Sequence, residues 1–126
     1  MTSPEPLVSV IEDDESLAQA ITRLLRSAGY RASWHGSAEA FLASDDAGEA
    51  TCIVTDIQLP GMSGIALMAQ LQKSSAAGTR VIMITARVEK DLHAQAIGSG
   101  AFCFLQKPFA ADILLDCVAR AVACAS

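Results

Sequence analysis

Three carboxylates, an alcohol and an amine stand directly behind short apolar runs in this chain of 126 residues. Glu12 and Asp13 follow Leu7-Val8-Ser9-Val10-Ile11, Asp56 follows Ile53-Val54-Thr55, Thr85 closes Val81-Ile82-Met83-Ile84, and Lys107 follows Phe102-Cys103-Phe104-Leu105-Gln106. Carboxylates gathered at one mouth repel each other and raise one another's proton affinity unless a cation sits among them. An oxygen-only ligand set favours a hard ion, and magnesium is the natural candidate. Lys107 adds a mobile point charge, while the Thr85 hydroxyl and the N–H of Ala86 beside it can donate to an incoming anionic oxygen. Cation, ammonium and donors together describe a phosphoryl site. Taken singly, each residue has a plainer role: a strand-end Asp forms turns, Glu12 to Glu15 caps the next helix, and Lys107 is a surface lysine before a rigid turn. Their joint placement argues for chemistry.

Such placement needs five strands whose carboxyl ends open on one side, where ligands bind in doubly wound parallel sheets. The first run, over 7–11, is short and rich in β-branched residues, and it ends abruptly in acidic residues. Leu17, Ala20, Ile21, Leu24, Leu25 and Ala28 then recur at intervals of three and four, predicting an amphipathic helix that Gly29 stops. The alternation continues with a weaker strand over 31–35, a helix over 37–44 with Glu39 in its first turn, and an apolar strand over 51–56. Pro60-Gly61 marks a loop, and Ser63 caps a helix running to about Lys73. A strand over 80–85, a more polar helix over 89–99, a strand over 101–105 and a helix over 110–123 complete the series. Five strand–helix units with short loops predict an α/β, doubly wound (βα)5 flavodoxin-like fold: a parallel five-stranded sheet with helices on both faces. Residues 1–6 read as a flexible N-terminal tail, 7–123 as one domain, and 124–126 as a C-terminal end with no output domain.

Composition narrows the function. Hydrophobic residues make up 52% against 18% charged, which excludes an intrinsically disordered chain. The net charge of -5 has the wrong sign for neutralising phosphates along DNA or RNA, so no direct contact with nucleic acid is expected. Cys52, Cys103, Cys117 and Cys124 form no C-x-x-C pair, and His35 and His93 complete no zinc spacing. Cys103 and Cys117 are expected to pack as small apolar residues, with Cys124 the one open to adventitious oxidation. Trp34 and His93 read as structural or surface residues. No signal core and no membrane-length apolar run is present, which predicts a cytoplasmic chain that makes no membrane contact.

The segments Val10-Ile11-Glu12-Asp13-Asp14, Ile53-Val54-Thr55-Asp56, Leu59-Pro60-Gly61-Met62-Ser63-Gly64, Ile84-Thr85-Ala86 and Lys107-Pro108-Phe109, in this order, resemble a CheY-like receiver domain of two-component response regulators. Gly36-Ser37-Ala38-Glu39-Ala40-Phe41-Leu42 further resembles the FixJ-type receivers, which usually precede a LuxR-type DNA-binding domain. The resemblance implies that Asp56 is the phosphoacceptor for a sensor histidine kinase, and that Asp13, Asp56 and the backbone carbonyl of Gln58 bind magnesium, with Glu12 acting through metal-bound water. It implies a cis bond before Pro108, aiming Lys107 inward. Lys107, Thr85 and the Ala86 N–H would hold the acyl phosphate, and Gln58 and Arg87 would tune its lifetime. Thr85 and Phe104 would form the switch, acting on the face made by helix 89–99, strand 101–105 and helix 110–123. That face would control a homodimer or an output partner.

Two rival functions share this architecture. Haloacid-dehalogenase phosphatases also use a strand-end Asp with magnesium, but they need an acid/base Asp two residues on, where this chain has Gln58. Flavodoxins offer hydroxyls and N–H groups to a flavin phosphate from their first loop, which Glu12-Asp13-Asp14-Glu15 would repel. A receiver-like adaptor that is never phosphorylated is a third rival, disfavoured because every acceptor-site residue is present. The expectation is therefore a phosphoacceptor that catalyses only its own phosphorylation and dephosphorylation.

Overall fold

A computed structural model describes residues 5–73, 78–86, 90–98 and 100–124. Most of the expected tail, the loop residues 74–77, Arg87 and the last two residues lie outside this description, as do the side chains of His93 and Cys124. The strands are β1 (Leu7–Ile11), β2 (Arg31–His35), β3 (Cys52–Asp56), β4 (Arg80–Thr85) and β5 (Cys103–Gln106). They form one parallel sheet in the order β2-β1-β3-β4-β5. Helices α1 (Glu15–Ser27), α2 (Ala38–Leu42), α3 (Asp46–Glu49), α4 (Gly64–Gln72), α5 (Lys90–Gly98) and α6 (Ala111–Cys124) connect and follow them.

Alternation along the strands divides the core in two. Val8, Val10, Val54, Ile82 and Ile84 face one way, against Ala18, Ile21 and Leu25 of α1 and Leu114, Cys117, Val118 and Ala121 of α6. Leu7, Ile11, Ile53, Val81 and Met83 face the other, against Phe41 of α2, Leu67, Met68 and Leu71 of α4, and Ala96 of α5. Cys117 is buried as expected, and Cys103 packs against the same layer. Because β1 and β3 are covered on both faces, every residue in them is buried and they read as near-continuous apolar runs, interrupted by Ser9 and by Thr55 before the closing Asp56. The helix starts are set locally: Asp14, Ser37 and Ser63 accept hydrogen bonds from the main-chain N–H groups of Leu17, Ala40 and Ala66. At five residues α2 is too short to persist alone, and burial of Phe41, worth roughly 2–3 kcal/mol, holds it down.

Two details differ from the sequence expectation. Among the described residues there are six helices, because Asp46–Glu49, a stretch to which the sequence pattern assigns no element, forms α3. Its four residues carry no period, and it is tied to β2 by contacts distant in sequence: His35 Nε2 lies 2.8 Å from Asp46 Oδ2, and Arg31 Nη1 lies 2.9 Å from Glu49 Oε1. The last strand begins at Cys103, which pairs with Ile82, and it extends to Gln106 opposite Thr85. Lys107 therefore follows the strand end directly. Among the described residues no helix is long and apolar enough to cross a membrane.

Candidate functional site

The carboxyl ends of β1 and β3 bring Glu12, Asp13 and Asp56 together, and one carboxylate oxygen from each lies within 4.8 Å of the others. Their burial differs sharply. Glu12 is 1% exposed and Asp56 6%, whereas Asp13 faces solvent. From the end of β5 the Lys107 ammonium donates to Asp56 Oδ2 at 2.6 Å and to Glu12 Oε1 at 2.9 Å. The Gln58 main-chain N–H donates to Asp56 Oδ1 at 2.8 Å, so both oxygens of this carboxylate are held. The Lys107–Pro108 peptide bond is cis, as the resemblance implied.

The charges here are poorly balanced. Burial pushes the Glu12 carboxyl up from 4.5 to about 7, against the pull of Lys107 and with the added repulsion of Asp56. Burial alone would discourage the Lys107 ammonium, but its hydrogen bonds to Asp56 and Glu12 prevail and raise its proton affinity. Glu12 Oε2 is buried and finds no hydrogen-bond partner among the described residues. An unanswered buried carboxylate oxygen is costly. An all-oxygen cluster with one oxygen still unsatisfied is a donor set suited to a hard cation.

The backbone beneath the cluster is closely packed. Ile57 N–H donates to Ile84 O and Gly64 N–H to Ile57 O, each at 2.9 Å, joining β3, β4 and the start of α4 below Asp56. A Cβ on Gly64 would lie 2.6 Å from the Asp56 carbonyl oxygen, so this approach requires glycine. Glu39 of α2 accepts from Met62 N–H at 3.0 Å and steadies the β3–α4 loop, where Gly61 turns at a φ of +76°.

Thr85 is fully buried at the end of β4, and its carbonyl accepts Lys107 N–H at 2.7 Å. Ala86, next in the chain, is exposed. Phe104 lies opposite Met83 on β5 and is partly buried against the layer containing Leu67 and Ala96. By alternation Thr85 and Phe104 lie on the same sheet face. The side chain of Gln58 is exposed, and Arg87 lies outside the described residues. Sequence reasoning missed the Gln58 N–H and Glu39 contacts. It also missed the indole of Trp34, whose Nε1–H donates to the Glu12 carbonyl at 2.7 Å. Only the register of β2 against β1, with Trp34 opposite Val10, could have signalled that bond.

Residues 8–119 match the family model of the response regulator receiver domain. The chain is 39% identical over 107 residues to the transcriptional regulatory protein FixJ of Azorhizobium caulinodans, across 84% of this chain and 50% of that protein. It is 36% identical over 119 residues to the C4-dicarboxylate transport transcriptional regulatory protein DctD of Rhizobium meliloti, across 94% and 26%. It thus spans half or less of the length of these relatives. The crystal structure of FixJ-N matches with a TM-score of 0.82 at 28% identity, covering 96% of each chain. Motif order, sheet topology and these matches agree: the chain belongs to the response regulator receiver family of two-component systems, as a CheY-like domain of the FixJ type.

Proposed function

We propose that Asp56 receives a phosphoryl group from a sensor histidine kinase in a magnesium-dependent reaction, and that the domain passes this event to a partner through α5, β5 and α6. The observation that carries the proposal is the double hold on Asp56, by Lys107 on one oxygen and the Gln58 N–H on the other, beside two further carboxylates. An ionised carboxylate needs positioning but no general base to attack phosphorus. One Asp56 oxygen forms the new P–O bond as the P–N bond to the kinase histidine breaks, and the electron pair leaves with the imidazole nitrogen. Asp13, Asp56 and the Gln58 carbonyl would hold magnesium, with Glu12 acting through water. When bound, the ion offsets the repulsion between the carboxylate and the incoming phosphoryl group. Lys107, already on Asp56, is placed to follow the charge onto the phosphoryl oxygens, with the Thr85 hydroxyl and the Ala86 N–H as further donors. Gln58 and Arg87, two residues after Asp56 and Thr85 in the chain, would set the lifetime of the acyl phosphate.

This chemistry belongs in the cytoplasm, where a kinase has ATP. The partner on the α5-β5-α6 face is a second copy of the chain or an output domain. Incubation with acetyl phosphate, with and without magnesium, tests the acceptor. The wild type is expected to gain one base-labile, hydroxylamine-labile phosphate only when magnesium is present, and Asp56→Ala to gain none. Phosphate retained by Asp56→Ala would overturn the assignment.

A further inference from the structure

The parallel ladder between β1 and β2 ends where Glu12 N–H donates to His35 O at 3.1 Å. Gly36 then carries β2 away, and the Glu12 carbonyl has passed beyond the ladder. A side chain meets it instead: Trp34 Nε1–H donates to Glu12 O at 2.7 Å. The Ile11–Glu12 peptide is thus held at its N–H by the backbone, and the Glu12–Asp13 peptide is held at its carbonyl by an indole. Asp13 depends on this more than Glu12 does. The Glu12 side chain is buried and bound by Lys107, whereas the Asp13 carboxylate is exposed and makes no hydrogen bond or ion pair among the described residues. What aims Asp13 is therefore its backbone. The indole is 38% exposed and borders an open groove of about 300 Å3 lined by Gln19, Thr22, Arg23 and Arg26. A ring without the N–H has room to swing into that groove.

We propose that Trp34 is a positioning residue for the cation site: its indole N–H fixes the Glu12–Asp13 peptide plane so that the exposed Asp13 carboxylate is aimed at the cation before it arrives. The inference rests on the magnesium reading of the acidic cluster given above. Trp34 is the single tryptophan of the chain, so its emission reports on this peptide directly.

Magnesium binding is measured by calorimetry on the wild type and on Trp34→Phe, which keeps an aromatic ring and loses the donor, and by Trp34 emission on the wild type. Loss of one such hydrogen bond is expected to weaken the magnesium Kd roughly two- to tenfold in Trp34→Phe. Its unfolding midpoint in EDTA is expected to stay within about 3 °C of the wild type, a smaller change than loss of a core contact gives. Wild-type emission is expected to change with magnesium and saturate at the calorimetric Kd. An unchanged Kd in Trp34→Phe, or emission indifferent to magnesium that calorimetry shows to be bound, overturns the positioning role alone. A wild type that binds no magnesium overturns the metal reading and this role with it.

Discussion

Glu12 carries the cost of assembling the site. Its carboxyl is almost wholly buried with one oxygen unanswered, and that burial, reinforced by Asp56, raises its pKa from 4.5 to about 7 although the ammonium it shares with Asp56 pulls the other way. The consequence for stability follows by linkage. A carboxyl that binds its proton more tightly when folded than at its ordinary value of 4.5 makes the native state hold more protons between 4.5 and about 7. Metal-free stability must fall as pH rises through that window. Glu12→Gln removes the titration while keeping the shape. In EDTA the variant is expected to match the wild type near pH 4.5 and to exceed it by about 2 kcal/mol above pH 7, read from urea unfolding across the range. A difference that does not grow with pH would show that Glu12 is not the strained group. The same variant should bind magnesium more weakly, since stability and function draw on this charge in opposite directions.

Helix α3 shows how an element is held when its own sequence does not propose it. Asp46 is kept below the ordinary 3.8 first by its hydrogen bond with Ser33, against the opposing effect of burial, and further by His35. A depressed carboxyl contributes stability that is fully present above 3.8 and is lost as pH falls through the lower folded value. Asp46→Ala is therefore expected to cost about 1–2 kcal/mol at pH 7, and its deficit to shrink as the solution is acidified below 3.8. A deficit of constant size would place the loss in helix packing instead. β1, β3 and β4 were legible in the sequence because strands covered on both faces are predominantly apolar, and α1 and α4 because capping side chains mark where they begin. α3 was not, since four residues carry no period and its ties to Arg31 and His35 are long-range. β5 was read early because Ala101 and Phe102 are as apolar as the strand itself, while pairing with Ile82 starts only at Cys103. The site followed the same division. Strand ends announced Glu12, Asp56 and Lys107, but a main-chain donor such as the Gln58 N–H leaves no mark in the sequence, and the Trp34 bond depends on the exact offset of an edge strand.

For the molecule as a whole, the acidic cluster sits at one end of the sheet, so the phosphoryl transfer proposed there would have to be converted into a change on an outer face. β5 is the edge strand nearest Lys107, with α5 and α6 in the two helical layers beside it. The helices are not fully absorbed by the core: Ile97 of α5 is 50% exposed and Ile113 of α6 is 49% exposed, while Leu114, Cys117, Val118 and Ala121 are buried. The apolar residues of α6 thus include both a core-facing stripe and an outward isoleucine. Thr85 and Phe104 share a sheet face between the acceptor and this surface. If the Thr85 hydroxyl is drawn to a phosphoryl oxygen, the space it leaves favours an inward Phe104, and the equilibrium moves only by the difference in affinity between the two arrangements. Beryllofluoride with magnesium, as a mimic of the phosphorylated state, is expected to raise the sedimentation coefficient of the wild type or its retention of an output domain. Phe104→Ala is expected to accept phosphate on Asp56 at close to the wild-type rate and to show neither response, because the acceptor chemistry lies outside its reach and the coupling does not. Equal responses from wild type and variant would remove Phe104 from the switch. A wild type that binds beryllofluoride yet responds in neither assay would remove the α5-β5-α6 face as the route of output.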